Sequence, residues 1–207
     1  KASLAANHDA DRIIVCDALG DCTVLAEDAD ADPSSPFSSF QNSVSLTDTG
    51  LVAFNAGLVS GGSGVFLTDG SAVTTIATTA MPEISSIDYF APSANDHGLV
   101  VFRAVDGAGL MAIFVGDGQG LVKVATEHDL VPTDLGEGRI DQHDTSVVFG
   151  GAPDINNSGD VAFHATLTPS DNNQVEWGTG LFIAYGSRIF GDGFESGGTG
   201  GWSSTTP

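Results

Sequence analysis

Gly98-Leu99-Val100-Val101-Phe102-Arg103-Ala104 decides the fold, because it occurs in three versions. Gly50-Leu51-Val52-Ala53-Phe54-Asn55-Ala56 and Gly159-Asp160-Val161-Ala162-Phe163-His164-Ala165 align with it without gaps. Each follows a polar turn: Thr47-Asp48-Thr49, Asn95-Asp96-His97 or Asn156-Asn157-Ser158. Val, Phe and Ala hold alternate positions, which is the two-residue period of a strand. Asn55, Arg103 and His164 fall between them, so the strand is expected to have one dry and one wetter face. A glycine ending a polar turn supplies the positive φ that tight connections require.

Outward from this core the similarity continues. Val65-Phe66-Leu67-Thr68-Asp69-Gly70 aligns with Ile113-Phe114-Val115-Gly116-Asp117-Gly118, and Val73 to Ala77 aligns with Leu121 to Ala125. The third copy inserts a longer loop (168–178) before Leu181-Phe182-Ile183-Ala184-Tyr185-Gly186. Ile13 to Asp17 and Thr23 to Ala26 form the second half of a copy, which makes three and a half units. Val, Ile, Phe and Thr runs bounded by Gly and Asp are strands, four to a unit. The expectation is an all-β chain of repeated four-stranded antiparallel sheets, propeller-like, with a β-sandwich or β-solenoid as the alternatives. The repeat domain spans 1–190 and a Gly-rich tail spans 191–207.

Composition agrees. Six Lys and Arg stand against 27 Asp and Glu, of which 21 are Asp, for a net charge of −21 in 207 residues. Asp belongs to turns and caps rather than helix interiors. Such a charge excludes a phosphate-neutralising nucleic-acid interface and docking on anionic lipid. The 41% of hydrophobic residues is enough for a core. No run of about 18 apolar residues is present, so no transmembrane segment is expected. Lys1 to Ala6 is too short for a complete signal peptide, which a secreted form would have lost or carried upstream.

The motifs resemble a family of secreted bacterial proteins with repeats of the form Asn-x-x-Gly-x-Val-Ala-Phe-x-Ala. Asn156 to Ala165 and Asn95 to Ala104 match best, and Thr47 departs from the pattern. The resemblance covers about 11–190, implies a propeller-like fold, and carries no catalytic residues. Asp192-Gly193-Phe194-Glu195-Ser196-Gly197 with Trp202 resembles a C-terminal tail shared by otherwise different secreted gammaproteobacterial proteins. That resemblance implies an extracellular address, with Pro207 as the terminus and Asp192, Phe194, Glu195 and Trp202 in sorting or attachment. Packing of Phe190, Phe194 and Trp202 on the last sheet is the alternative.

Cys16 and Cys22 flank five residues across Gly20, with β-type residues on both sides. A disulfide across a hairpin fits that spacing and favours an oxidising compartment, two free thiols being the alternative. For metals, hard oxygen donors point to calcium. Asp28, Asp30 and Asp32 alternate in one loop, and Asp154, Asn156 and Ser158 copy the first half of a calcium loop whose twelfth position is Ala165 instead of Glu. The alternative is solvated acidic turns. Asp141 to Asp144 around His143 reads as a surface loop, and Asn156-Asn157-Ser158 matches a glycosylation acceptor pattern. Gly61-Gly62-Ser63-Gly64-Val65 fails as a nucleophile elbow, and no nucleophilic set is recognised.

The function expected first is a non-enzymatic extracellular structural or interaction module. Its partner would be a second copy, met through the edges of an incomplete sheet to give a filament or surface layer. A calcium-assisted glycan-binding module comes second, with Trp177 and Trp202 as stacking residues. A polysaccharide-acting enzyme, in which carboxylates converge with His143 or Arg103, comes third.

Overall fold

The computed structural model describes residues 3–4, 10–143 and 147–186, with backbone alone at 3–4 and 42–43. Every element of the described chain is a strand, in four antiparallel sheets that succeed one another along the sequence. The first holds β1 (Ser3–Leu4), β2 (Asp11–Cys16) and β3 (Cys22–Glu27). The second is the meander β4 (Phe37–Leu46), β5 (Val52–Leu58), β6 (Ser63–Thr68) and β7 (Val73–Thr78). The third holds β8 (Ile84–Ile87), β9 (Ser93–Ala94), β10 (Val100–Asp106), β11 (Met111–Gly116) and β12 (Leu121–Thr126). The fourth holds β13 (Leu130–Thr133), β14 (Gly136–Ile140), β15 (Phe149–Ile155), β16 (Val161–Pro169) and β17 (Gly178–Ala184).

The repeat is structural as well as textual. Gly50, Gly98 and Gly159 have φ of 87°, 84° and 80°, and each donates its N–H to the carbonyl three residues back, on Thr47, Asn95 and Asn156. The strand after each turn pairs with the next in the same register. It sets Phe54 opposite Phe66, Phe102 opposite Phe114 and Phe163 opposite Phe182. These ring pairs stack at centroid distances of 5.6, 5.7 and 5.5 Å, within the range favoured for offset aromatics.

A β-bulge also recurs. The register slips between Ile13 and Ile14, between Val65 and Phe66, and between Ile113 and Phe114, leaving Leu25, Ile76 and Val124 as the extra residues of the opposing strands. A bulge turns two consecutive side chains toward one face. Here it sends Leu25 with Ala26, Ile76 with Ala77, and Val124 with Ala125 into the space before the following sheet.

The four-strand expectation needs one change. The strand preceding β5 is continuous though bulged, but its counterpart in the third sheet is broken into β8 and β9, which share one edge of β10. In the fourth sheet β14 and β15 divide the corresponding edge of β16, and the added hairpin β13–β14 follows the long extension of β16 to Pro169.

The described core consists of three apolar clusters, one for each junction between consecutive sheets. Val52, Phe54 and Ala56 join Ile13 and Ala26 of the first sheet. Val100, Phe102 and Ala104 join Ala53, Val65 and Leu67 of the second. Val161, Phe163 and Ala165 join Val101, Ile113 and Val115 of the third. Each Phe buried in this way contributes about 1.5–3 kcal/mol of transfer free energy.

This layering corrects the wet-and-dry expectation. Val52 to Ala56 and Val100 to Ala104 are buried without a break, because a sheet with a neighbour on each side has two dry faces. Alternation does survive at the start of β16, where Val161 and Phe163 are buried and Ala162 is exposed.

Candidate functional site

The uncovered side of the fourth sheet is the described region where apolar chemistry and exposure disagree most. In β6 and β11 the residues that face the following sheet are Val65 and Leu67, and Ile113 and Val115. Their exposures are 0%, 7%, 1% and 0%. The equivalent residues of β17 are Leu181 and Ile183, exposed to 87% and 53%. Ala162 and His164 lie opposite Ile183 and Leu181 on β16. Tyr185, 44% exposed, continues the β17 row. Leu181, Ile183, Tyr185 and Ala162 thus form an exposed apolar patch over two strands, the kind of surface that marks interaction sites.

Polar contacts make the same distinction between inner and outer junctions. Asn55 Nδ2 donates across its junction to the Asp88 and Phe90 carbonyls, each at 3.0 Å. Arg103 Nη1 donates to the Gly151 carbonyl at 2.7 Å and Nη2 to Asp88 Oδ2 at 2.6 Å, with its guanidinium 4.4 Å from the Phe90 ring centroid. Burial pulls the Arg103 pKa down and Asp88 holds it up. His164 occupies the same position in the last unit, where its buried Nδ1 has no hydrogen-bond partner. Gly150 sits opposite it in register. A Cβ at Gly150 would lie 2.2 Å from His164 Nδ1, so the glycine makes room for the ring.

The residues expected from sequence are placed as follows. Cys16 and Cys22 form a disulfide and face each other in register across the β2–β3 hairpin. Asp28 is buried, and its carboxylate accepts the N–H groups of Asp11 and Ala31, both at 2.9 Å, so it braces the start of β2. Asp30 is exposed. Asp32 Oδ1 accepts the N–H and hydroxyl of Ser34, which lowers its pKa. These three do not form a ligand cluster in the described structure.

Asp154 accepts the Ser93 hydroxyl at 2.5 Å and the Ile155 N–H. Asn156 Oδ1 accepts the N–H groups of Ser158 and Asp160, both at 2.9 Å. The residues of 154–158 thus serve a ladder of turns. Asn95 Nδ2 donates to the Asn156 carbonyl, Asn157 Nδ2 donates to Asp96 Oδ2, and Thr49 N–H donates to Asp96 Oδ1. Asp192, Phe194, Glu195 and Trp202 lie outside the described residues.

Trp177 is half-buried against the fourth sheet's core. Arg103 is tied down as above.

Sequence reasoning placed Asp141 in a surface loop with His143 and missed its grouping with Glu127 and His128, the ligand atoms of the three lying within 4.8 Å of one another. His128 has a φ of 77°, and Asp141 is buried. Arg139 Nη2 is already 2.6 Å from Asp141 Oδ2, while His128 Nε2 is 3.8 Å away. The guanidinium supplies the charge that a cation would bring, so the cluster reads as a structural ion network. Nothing in its spacing (127, 128, 139, 141) resembles a ligand motif, which is why the sequence hid it. Arg12, Arg103, Lys123 and Arg139 each pair with a carboxylate.

No helix among the described residues is long and apolar enough to cross a membrane. The chain matches a family model described as a family of unknown function (DUF7453) over residues 2–189, and it belongs to that family. No curated protein and no solved structure matched it.

Proposed function

We propose that this member of the family is a non-enzymatic extracellular structural module that assembles with further copies through the uncovered end of its stack of sheets. One observation carries the reading: Leu181 and Ile183 keep the apolar chemistry of Ile113 and Val115 while standing 87% and 53% exposed instead of 1% and 0%. Exposed apolar rows at repeat ends call for a cap or a neighbour. The Cys16–Cys22 disulfide suits an oxidising, extracytoplasmic setting. The charge of −21 keeps copies apart in dilute low-salt solution and is screened as salt rises. The sequence pointed to sheet edges as the contact, whereas the exposed apolar residues favour a face.

The test is analytical ultracentrifugation of the full chain across concentration and salt. Weight-average mass is expected to rise with both, and to stay monomeric in a Leu181→Asp, Ile183→Asp variant of unchanged melting temperature. A wild-type chain that is strictly monomeric at millimolar concentration in high salt would overturn the proposal.

A further inference from the structure

The uncovered face of the fourth sheet is one end of a stack, and the outer face of the first sheet is the other. On that first face, Ile14 and Val24 are directly opposed in register, Val24 is 45% exposed, and Ile14 is half-buried. The Arg12–Glu27 ion pair lies beside them, with Nε and Oε1 2.6 Å apart, and the Cys16–Cys22 disulfide closes the hairpin beyond. Ile14 aligns with Phe66 and Phe114, the residues through which the second and third sheets meet the sheet before them. Leu181 and Ile183 align with Ile113 and Val115, through which the third sheet meets the sheet after it. The fourth sheet's end therefore carries one half of a junction that the chain builds three times internally, and the first sheet's end carries, in Ile14, the β6 and β11 part of the other half.

Two like faces would give a closed dimer. Two unlike faces give an open head-to-tail array, as a heterologous contact does when its rotation fails to close. We infer that the occupant of the fourth sheet's outer face is the first sheet of a second copy, with Leu181, Ile183 and Ala162 of one copy against Ile14 and Val24 of the next. This inference rests on the self-assembly reading above and adds its polarity. Continuity with the internal junctions selects it over a face-to-face dimer. Ala162, His164, Leu181 and Ile183 themselves carry no acidic side chain, and the nearest carboxylate in register is the exposed Asp154 opposite Ala162, which accepts the Ser93 hydroxyl. His164 stands where Asn55 and Arg103 reach the following sheet.

Oriented crosslinking separates the arrangements. Full chains carrying Val24→Cys or Leu181→Cys are prepared with Cys16–Cys22 intact, then oxidised alone and as an equimolar mixture at a concentration where the wild type associates. The expected result is a mixed crosslink forming at least tenfold faster than either like-with-like crosslink, and a Val24→Cys, Leu181→Cys double variant yielding a ladder of multimers. Faster Leu181→Cys self-crosslinking would overturn the head-to-tail inference while leaving self-assembly standing. A crosslink of Leu181→Cys to Val24→Cys within one chain would also overturn it, by showing a closed ring of four sheets. Absence of any wild-type association would remove the self-assembly reading together with the inference. A Leu181→Ser chain with a wild-type melting temperature but lost association distinguishes a contact defect from a folding defect.

Discussion

Position 103 and its counterpart at 55 show how one residue ties a sheet to its successor. Arg103 is 5% exposed, and it persists there because Asp88, the Gly151 carbonyl and the Phe90 ring replace its water. A buried charge without such partners would cost several kcal/mol. Asp106 presents the acidic version of this bargain. It is 4% exposed and accepts the N–H groups of Ala108 and Leu110 and the ammonium of Lys123. Burial alone would raise its pKa, but Lys123 and the two amides outweigh burial and hold it below 3.8. A carboxyl depressed by folding stabilises the protein above its unfolded pKa and loses that contribution as pH falls through its folded value. Urea denaturation at stepped pH is therefore expected to show stability falling below about pH 4, the ordinary carboxylate range. Lys123→Met, which leaves Asp106 with its amide donors alone, should lower stability at neutral pH and flatten the acid limb, because a less depressed folded pKa leaves less to lose as pH falls. An unchanged acid limb would remove Lys123 from this account.

At the level of elements, the most legible features were those set by neighbours in sequence. Gly50, Gly98 and Gly159 with their polar turns, the alternating Val-Phe-Ala strands, and the Cys16–Cys22 hairpin are local patterns, and the structure contains them. The break at 88–92, which divides a unit's first strand, and the bulge of β15 between Gly150 and Asp154 were not legible. Their purpose is to bring Asp88, Phe90 or Gly151 to a residue of the preceding sheet, and that pairing is set across 33 to 48 positions. The apolar row of β17 was equally hidden, since Leu181 and Ile183 look like the core residues Ile113 and Val115, and only their exposure tells them apart. The disulfide belongs to this scale as well. It closes a small ring in the first sheet, and by loop entropy it is worth about 2 kcal/mol. Cys16→Ser with Cys22→Ser should lower the stability of the β2–β3 hairpin by that amount, read as faster amide exchange across 12–26. Exchange that speeds up equally in β10 and β11 would mean that the first sheet does not open separately.

Over the whole molecule, the arrangement of clusters dictates how the protein comes apart. Each apolar cluster joins one pair of consecutive sheets, so stability is held in a chain of junctions, as in other repeat arrays. The second and third sheets are held from both sides. Among the described residues, the first packs on the second alone and the fourth on the third alone. Local opening then follows position in the stack, because the free energy of exposing a sheet rises with the number of junctions that must be broken. Native-state hydrogen exchange is expected to find the slowest amides in β5, β6, β10 and β11, and faster ones in β2, β3 and β17. Substitution separates the regions further. Phe102→Ala removes a fully buried ring from an inner junction and should cost about 3–5 kcal/mol across all of the slow amides. Leu181→Ala should leave the slow amides of the dilute monomer unchanged, since that side chain is 87% exposed. At concentrations where copies associate, the β17 amides of the wild type should slow and those of the Leu181→Ala chain should not, because only a covered end sheet gains a second junction. Uniform protection across all four sheets of the dilute monomer would contradict this picture, since it requires the first and fourth sheets to hold each other in a closed ring.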